Sequence, residues 1–195
     1  MLKYVILGFL SYMPLTGYSL KQSIDHSTKY FWNAKQSQIY RTLKQLEEKG
    51  LVVSAIEPQA DRPDRRVYSI TEVGMADFKE WMETPIVDSQ YLKDPLLMKV
   101  FFSAQGEKED LLTQLRVQRN LAHQEYVRLT GEIKEGMGEN RAELPQNELF
   151  ANTYLLWEEV RRYGEQYYAT LENWLDQTIQ IVEENFVEEK NGEKE

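Results

Sequence analysis

At 195 residues the chain has room for one domain or two small ones, and either is long enough to bury a core. The absence of cysteine excludes a disulfide framework, a thiolate nucleophile and a cysteine zinc site. A net charge of -9 opposes a nucleic-acid partner at first sight, but residues 1 to 85 carry 11 Lys and Arg against 10 Asp and Glu, while residues 86 to 195 carry 12 against 22. The first half is therefore at +1 and the second at -10.

The longest apolar runs, such as Tyr4 to Leu10, fall well short of the ~20 residues needed to cross a bilayer. No signal-peptide pattern follows Met1, so a cytoplasmic protein with no membrane partner is expected. Leu2 to Tyr12 reads as a helix apolar on most sides, with Val5, Ile6, Phe9 and Leu10 facing two neighbours at once. Pro14 breaks it. Thr16 caps a second helix whose inner face is marked by Tyr18, Leu20, Ile24 and Ser27 and which ends near Tyr30. Phe31 to Ala34 reads as an aromatic plug before the next helix.

That next helix, Ser37 to Gly50, is the informative one. Ser37 is placed as its N-cap, and Ile39, Leu43 and Leu46 recur at steps of four and three to give it an apolar back. Gln38, Arg41, Thr42 and Gln45 fall on the other side. Lys49 complements the C-terminus and Gly50 supplies the left-handed residue that ends it. Residues 28 to 68 hold 8 basic against 5 acidic residues, so the field around this helix is positive in an acidic protein.

After Gly50 the period changes. Leu51 to Glu57 and Arg66 to Ile70 are β-rich runs separated by a polar, proline-broken loop, Pro58 to Arg65. Thr71 then caps another helix. Helices, a hairpin and a closing helix make a winged helix-turn-helix. Arg pairs bidentately with guanine and Gln with adenine, while Lys44 and the wing residues Arg65 and Arg66 suit phosphate. The same elements also occur in domains that bind only proteins, so a winged-helix interaction module or coactivator with weak DNA affinity is the alternative.

Four motifs in order, Ile6 to Leu10, Thr16 to Leu20, Ile39 to Leu51 and Arg66 to Gly74, make residues 2 to 85 resemble the PadR family of transcriptional regulators. The resemblance implies a homodimer that binds double-stranded DNA at an inverted-repeat operator, usually as a repressor, and is often released by a small molecule. It places Ser37, Gln38, Tyr40, Arg41, Thr42 and Lys44 on the DNA-facing recognition helix and Arg65 and Arg66 on the wing. For Tyr40 two roles stay open: a core ring, or a hydroxyl that reaches phosphate.

The expected boundary lies at 85/86, with a proline-containing linker to Tyr91. Asp94 and Pro95 start a helix. From Glu107 an amphipathic helix carries Leu112, Leu115, Ala122, Tyr126, Leu129 and Ile133, with Arg119 in one slot, and closes between Gly136 and Pro145. Gln146 to Glu189 is the longest helical pattern, with Leu149, Thr153, Leu156, Val160, Tyr163, Tyr167, Leu171, Trp174 and Ile181 along one row. Its second apolar side, Trp157, Tyr168, Leu175, Ile179, Val182 and Phe186, is expected to bury against a partner. Residues 86 to 195 are thus a helical dimerisation domain with a frayed acidic end from Glu188, and Leu156, Val160, Tyr167, Leu171 and Trp174 are assigned to dimerisation.

The aromatic density invites a small aromatic or hydrophobic effector, held by Trp157 and Tyr163 with Arg161 on a carboxylate, or nearer the hinge by Phe31 and Trp32. Ordinary interhelical packing explains the same aromatics. His26 and His123 are isolated, and no Glu-x-x-His, glycine-rich phosphate loop or serine elbow is present. Adjacent carboxylates such as Glu158 and Glu159 point about 100° apart on a helix and form no catalytic dyad. No enzyme, cofactor or metal is expected.

Overall fold

The computed structural model describes residues 1–28, 31–59, 64–87, 93–135 and 148–187. Contacts divide the chain into two compact units, Met1–Ser89 and Gln90–Glu195. The first contains α1 (Leu2–Tyr12), β1 (Leu15–Thr16), α2 (Gly17–Ser27), α3 (Gln36–Glu48), β2 (Val52–Glu57), β3 (Arg65–Ile70) and α4 (Glu72–Glu83).

Three helices and a sheet share one core in this unit. Ile6, Leu7 and Leu10 of α1 meet Leu20 and Ile24 of α2, the Ile39, Leu43 and Leu46 stripe of α3, and Val52 and Tyr68 of the sheet. Each such side chain contributes roughly 1.5–3 kcal/mol on burial. The mainly helical fold with a small β element is as expected, but the sheet has a third strand. Its order is β1-β3-β2, and Leu15 and Thr16 pair antiparallel with Tyr68 and Val67. The Pro14 break thus leaves an extended dipeptide that covers the otherwise free edge of β3.

On α2 the inner face is Gly17, Leu20 and Ile24, whereas Tyr18 and Ser27 are exposed and the helix ends at Ser27. The expectation for Tyr18 fails because Thr16 is the cap, accepting from the Ser19 N–H at 3.0 Å, so the inward register starts at Gly17. Tyr30 lies outside the described residues. The α1–α4 contact is tied by Lys3 donating to Asp77 at 2.8 Å and by Tyr4 stacked on Trp81 at 4.6 Å between centroids. Thr71 caps α4 by accepting from Gly74 N–H and donates its own hydroxyl to the Gly50 carbonyl. Gly74 allows a close approach, since a Cβ there would lie 2.0 Å from the Leu51 carbonyl oxygen.

The second unit contains α5 (Pro95–Phe102), a short 3-10 turn (Ser103–Gln105), α6 (Lys108–Thr130) and α7 (Glu148–Asn185). Asp94 caps α5, accepting from Leu96 N–H at 2.7 Å. The 38 residues of α7 span about 57 Å at the helical rise. It runs antiparallel to α6: Lys108 and Arg116 reach Glu183, Arg119 reaches Glu172 and Asp176, and Arg161 reaches the Leu129 carbonyl.

Leu111, Leu112, Leu115 and Ala122 of α6 bury Leu175 and Val182 of α7, with Tyr168, Leu171, Trp174, Ile179 and Phe186 packed around them. This corrects the assignment of faces on α7. Of the side expected to await a partner, Tyr168, Leu175, Ile179, Val182 and Phe186 pack inside the chain while Trp157 stays 37% exposed, and Leu171 and Trp174, assigned to dimerisation, pack inside the chain as well. Leu156, Tyr163, Tyr167 and Ile181 of the other row are exposed. Both rows keep helical spacing, so periodicity alone does not choose between them; α6 does, and its ion pairs flank the row carrying Glu172, Asp176 and Glu183. The turn from Gly136 to Pro145, the linker from 88 to 92 and the acidic end from Glu188 lie outside the described residues.

Candidate nucleic-acid interface

The apolar stripe of α3 fixes which side of it meets solvent. Ile39, Leu43 and Leu46 are almost fully buried, so Ser37, Gln38, Tyr40, Arg41, Lys44 and Gln45 are exposed and Thr42 is half-buried at the margin. The helix begins one residue before the expected start. Ser37 is not its N-cap: Lys35 occupies that position, and the Gln38 side-chain oxygen accepts from the Lys35 N–H at 2.8 Å. A lysine side chain has no acceptor, so this reciprocal bond from Gln38 is the end's side-chain cap. The cap uses the oxygen of the exposed Gln38 side chain, and the donors of that amide are its NH2 group.

The other end stops as its residues dictate. Gly50 has φ 69°, the left-handed value that its missing Cβ permits. Gly50 N–H bonds to the Glu47 carbonyl at 3.0 Å and Leu51 N–H to that of Leu46 at 2.9 Å, the paired bonds of a Schellman motif. Tyr40 resolves as a surface residue, 45% exposed. Its ring lies over Gly17, where a Cβ would come within 2.5 Å of the ring edge, so the glycine is needed to seat it.

Charge separates the helix from the wing. Lys3 pairs with Asp77, Lys21 with Asp25, Arg65 with Glu57 and Arg66 with Glu47. Lys44 is loosely placed 3.9 Å from Glu48 and is highly exposed. Among the described residues Arg41 makes no ion pair, nor do Lys35 and Lys49 at the two ends of α3; Lys79 on α4 is a fourth. Of these four described cations, three lie on α3 or at its ends.

The wing arginines, expected to contact phosphate, are each paired with a carboxylate and remain 54% exposed. Arg65 is held by Glu57, its direct partner across the β2–β3 ladder, at 2.6 Å. Arg66 donates to both oxygens of Glu47, at 3.0 and 2.8 Å, and to the Ser54 hydroxyl at 2.7 Å. The Ser54 hydroxyl's donation holds the Glu47 carboxyl below the usual carboxylate range against the cost of its partial burial, and Arg66 adds to the effect. Asp61 and Arg62 at the loop tip lie outside the described residues.

The expected effector residues are dispersed. Phe31 is 52% exposed, so Ala34, at 4%, is the plug in that loop. Trp32 is half-buried, and its indole N–H is enclosed with no acceptor among the described residues. In the second unit Tyr163 is exposed at 65% and Trp157 at 37%. Arg161 does not await a ligand carboxylate. It is 4% exposed and donates to Glu158, Glu165 and the Leu129 carbonyl at 2.6–3.0 Å. Hydrogen bonds to Glu158 and then Glu165 raise the guanidinium pKa further, and the Glu158 carboxyl is correspondingly lowered. No sequence signal marked that triad around a buried arginine apart from the i−3 and i+4 spacing of its two glutamates.

Among the described residues no His, Cys, Asp and Glu group is placed to hold a metal, and no helix is long and apolar enough to cross a membrane. Residues 6–80 match the transcriptional regulator PadR-like family, and residues 92–183 match the family described as virulence activator alpha C-term. The negative transcriptional regulator PadR of Bacillus subtilis is 32% identical over 103 residues, 52% of this chain and 56% of that protein. A probable transcriptional regulator of Mycobacterium tuberculosis, Rv1176c, is 38% identical over 85 residues, 44% of this chain and 45% of the relative. The matches thus span about half the length of these curated relatives.

Solved structures extend the likeness to nearly the whole fold. Bacillus subtilis PadR in complex with operator DNA superposes with a TM-score of 0.72 at 22% identity, covering 93% of this chain and 98% of that one. The same protein in complex with p-coumaric acid gives 0.65 at 22% identity, covering 93% and 95%. The Vibrio cholerae virulence activator AphA gives 0.73 at 25% identity, covering 94% and 99%.

Proposed function

We propose, from the match of residues 6–80 to the PadR-like family of transcriptional regulators, that the chain is a regulator of this kind that binds double-stranded operator DNA as a homodimer and represses transcription until a small aromatic or hydrophobic effector releases it. The family is one of regulators rather than enzymes. The observation that carries the reading is the outer face of α3, where Gln38 and Arg41 offer donors and Arg41, Lys35 and Lys49 keep charges that no carboxylate offsets.

In this reading Gln38 and Arg41 address base edges, Ser37, Thr42 and Lys44 address phosphate and sugar, and the Tyr40 hydroxyl reaches phosphate. Arg65 and Arg66 lie on the wing. The exposed row of α7, with Leu156, Val160 and Tyr167 but without Leu171 and Trp174, which pack against α6, forms the dimer contact, because a helix of this length that buries only one apolar row within its chain leaves the other to a partner. Two copies hold two α3 helices against successive major-groove faces. The indole N–H of Trp32, which has no acceptor among the described residues, offers an acceptor-bearing effector a partner.

A second reading keeps the DNA contact and reverses the outcome. The C-terminal match to a virulence-activator family and the superposition on AphA favour activation. Fragments retained by the protein from its own genome decide between them, by whether the bound sites overlap or lie upstream of promoters. Substitution tests the site itself: Arg41→Ala costs about 1–3 kcal/mol on a retained fragment and relaxes discrimination there. Unchanged affinity and preference in a fluorescence-anisotropy titration would remove Arg41 from the interface. A shallow salt dependence in the wild type would instead favour a protein-interaction module.

A further inference from the structure

The tie between α3 and the wing carries a role that its acidic partner does not advertise. We infer that Glu47 is a positioning residue: with Ser54 it latches Arg66 of the wing to the recognition helix, and it keeps the Arg66 charge from acting on phosphate. The inference deepens the reading of α3 as DNA-facing and rests on it.

Three elements close the latch. Glu47 comes from the last turn of α3, Ser54 from β2 and Arg66 from β3. Arg66 donates to both Glu47 oxygens at 3.0 and 2.8 Å and to Ser54 Oγ at 2.7 Å, and Ser54 donates to Glu47 Oε1 at 2.5 Å. Every pair in the triangle is bonded. The guanidinium also lies over the Tyr68 ring, 5.5 Å from its centroid. Glu47 is itself fixed, since its carbonyl accepts from Gly50 N–H in the helix stop.

A tie is needed there because the outer half of the hairpin buries little. Val53 is 54% and Ile56 69% exposed, and the last core side chains of the hairpin are Val52 on β2 and Tyr68 on β3, so apolar contact does not set the wing's angle beyond the Ser54–Tyr68 pair. The latch does so at mid-strand, next to the Ser54–Tyr68 register pair. The electrostatic consequence separates Arg66 from Arg41. A phosphate that meets Arg41 releases a counterion, because that guanidinium has no carboxylate beside it. At Arg66 the carboxylate already takes the counterion's place.

Two readouts on the full-length protein test this, using Glu47→Gln, Arg66→Gln and the double variant, with Ser54→Ala as the milder lesion. Hydrogen exchange of the β2 and β3 amides should quicken about two- to fivefold in Glu47→Gln and Arg66→Gln, and less in Ser54→Ala, as loss of a partly exposed pair implies. Arg66→Gln should leave the slope of log affinity on log salt unchanged. Glu47→Gln should steepen it by about 0.9, the value of one further phosphate contact, and the double variant should return it to the wild-type slope. Unchanged exchange in both single variants would overturn the latch. A slope about 0.9 shallower in Arg66→Gln alone would overturn the withheld charge, because Arg66 would then be a phosphate contact. Quickened exchange in a protein that binds no duplex would leave the latch standing and remove the DNA reading instead.

Discussion

The two units solve the problem of burial differently. The first closes on itself: α1, α2, α3 and the sheet each send residues to one core, and the surface left over on α3 is polar and cationic. The second is a long antiparallel pair in which α6 covers one row of α7 and leaves Leu156, Tyr163, Tyr167 and Ile181 exposed, together with Phe101 and Phe102 on α5. One unit holds a complete core; the other holds half of one. The difference is what the proposed division of work rests on, a self-sufficient domain presenting α3 and a second unit whose exposed row a second copy would cover.

The largest effect that would break this contrast lies in the first unit. A Cβ at Gly74 would lie 2.0 Å from the Leu51 carbonyl oxygen, and neither backbone can retreat without parting α4 from the sheet. Gly74→Ala should cost about 3 kcal/mol, read as a lower urea midpoint for the transition of the first unit with α6–α7 helicity retained. A smaller effect is expected at the exposed row of α7. Charging it with Leu156→Glu and Tyr167→Glu together should turn a dimer into a folded monomer in sedimentation equilibrium, because both positions lie outside the core shared with α6. A dimer that survives would place the contact elsewhere.

The smallest expected effect is in pH. Glu47 has its carboxyl lowered by the Ser54 hydroxyl, with Arg66 assisting. A group whose folded pKa is depressed contributes stability that is full above its unfolded value and is lost as pH falls through the folded one. The latch should therefore be intact at neutral pH and loosen only below the ordinary carboxylate range. An NMR titration of the Arg66 guanidinium Nη–H protons, which donate to Glu47, should show them protected through the ordinary carboxylate range and broadened only below it, while a signal that does not respond to acid even there would mean the carboxylate is not their partner.

Local chemistry was legible in the sequence. The bounds of α1, the caps Thr16, Thr71 and Asp94, the glycine stop at Gly50 and the Ile39, Leu43, Leu46 stripe follow from residue type and spacing, and each is found in place. What escaped depends on contacts distant in sequence. Two residues of β1 are too few to show a period, and only pairing with Val67 and Tyr68 makes them a strand. Ser37 looks like a cap until Gln38 takes that work from within the first turn.

The same holds at the site. The outer face of α3 was readable because burial of its back decides it. The state of Arg65 and Arg66 was not, because Glu57 and Glu47 become their partners only through the strand register and the helix–wing approach. Arg161 was misjudged for a related reason: an arginine among aromatics resembles a ligand anchor until Glu158 and Glu165 are seen to close on it. The two apolar rows of α7 were both visible, and the choice between them belonged to α6.

The central claim is that α3 is one of two reading helices held by the unfinished second unit. A hydroxyl-radical footprint of the full-length protein on a fragment retained from its own genome tests both halves at once. Two protected half-sites related by inverted symmetry, with centres about 10–10.5 base pairs or a multiple of that apart, are predicted. A single protected patch, or uniform protection without a boundary, would contradict the account.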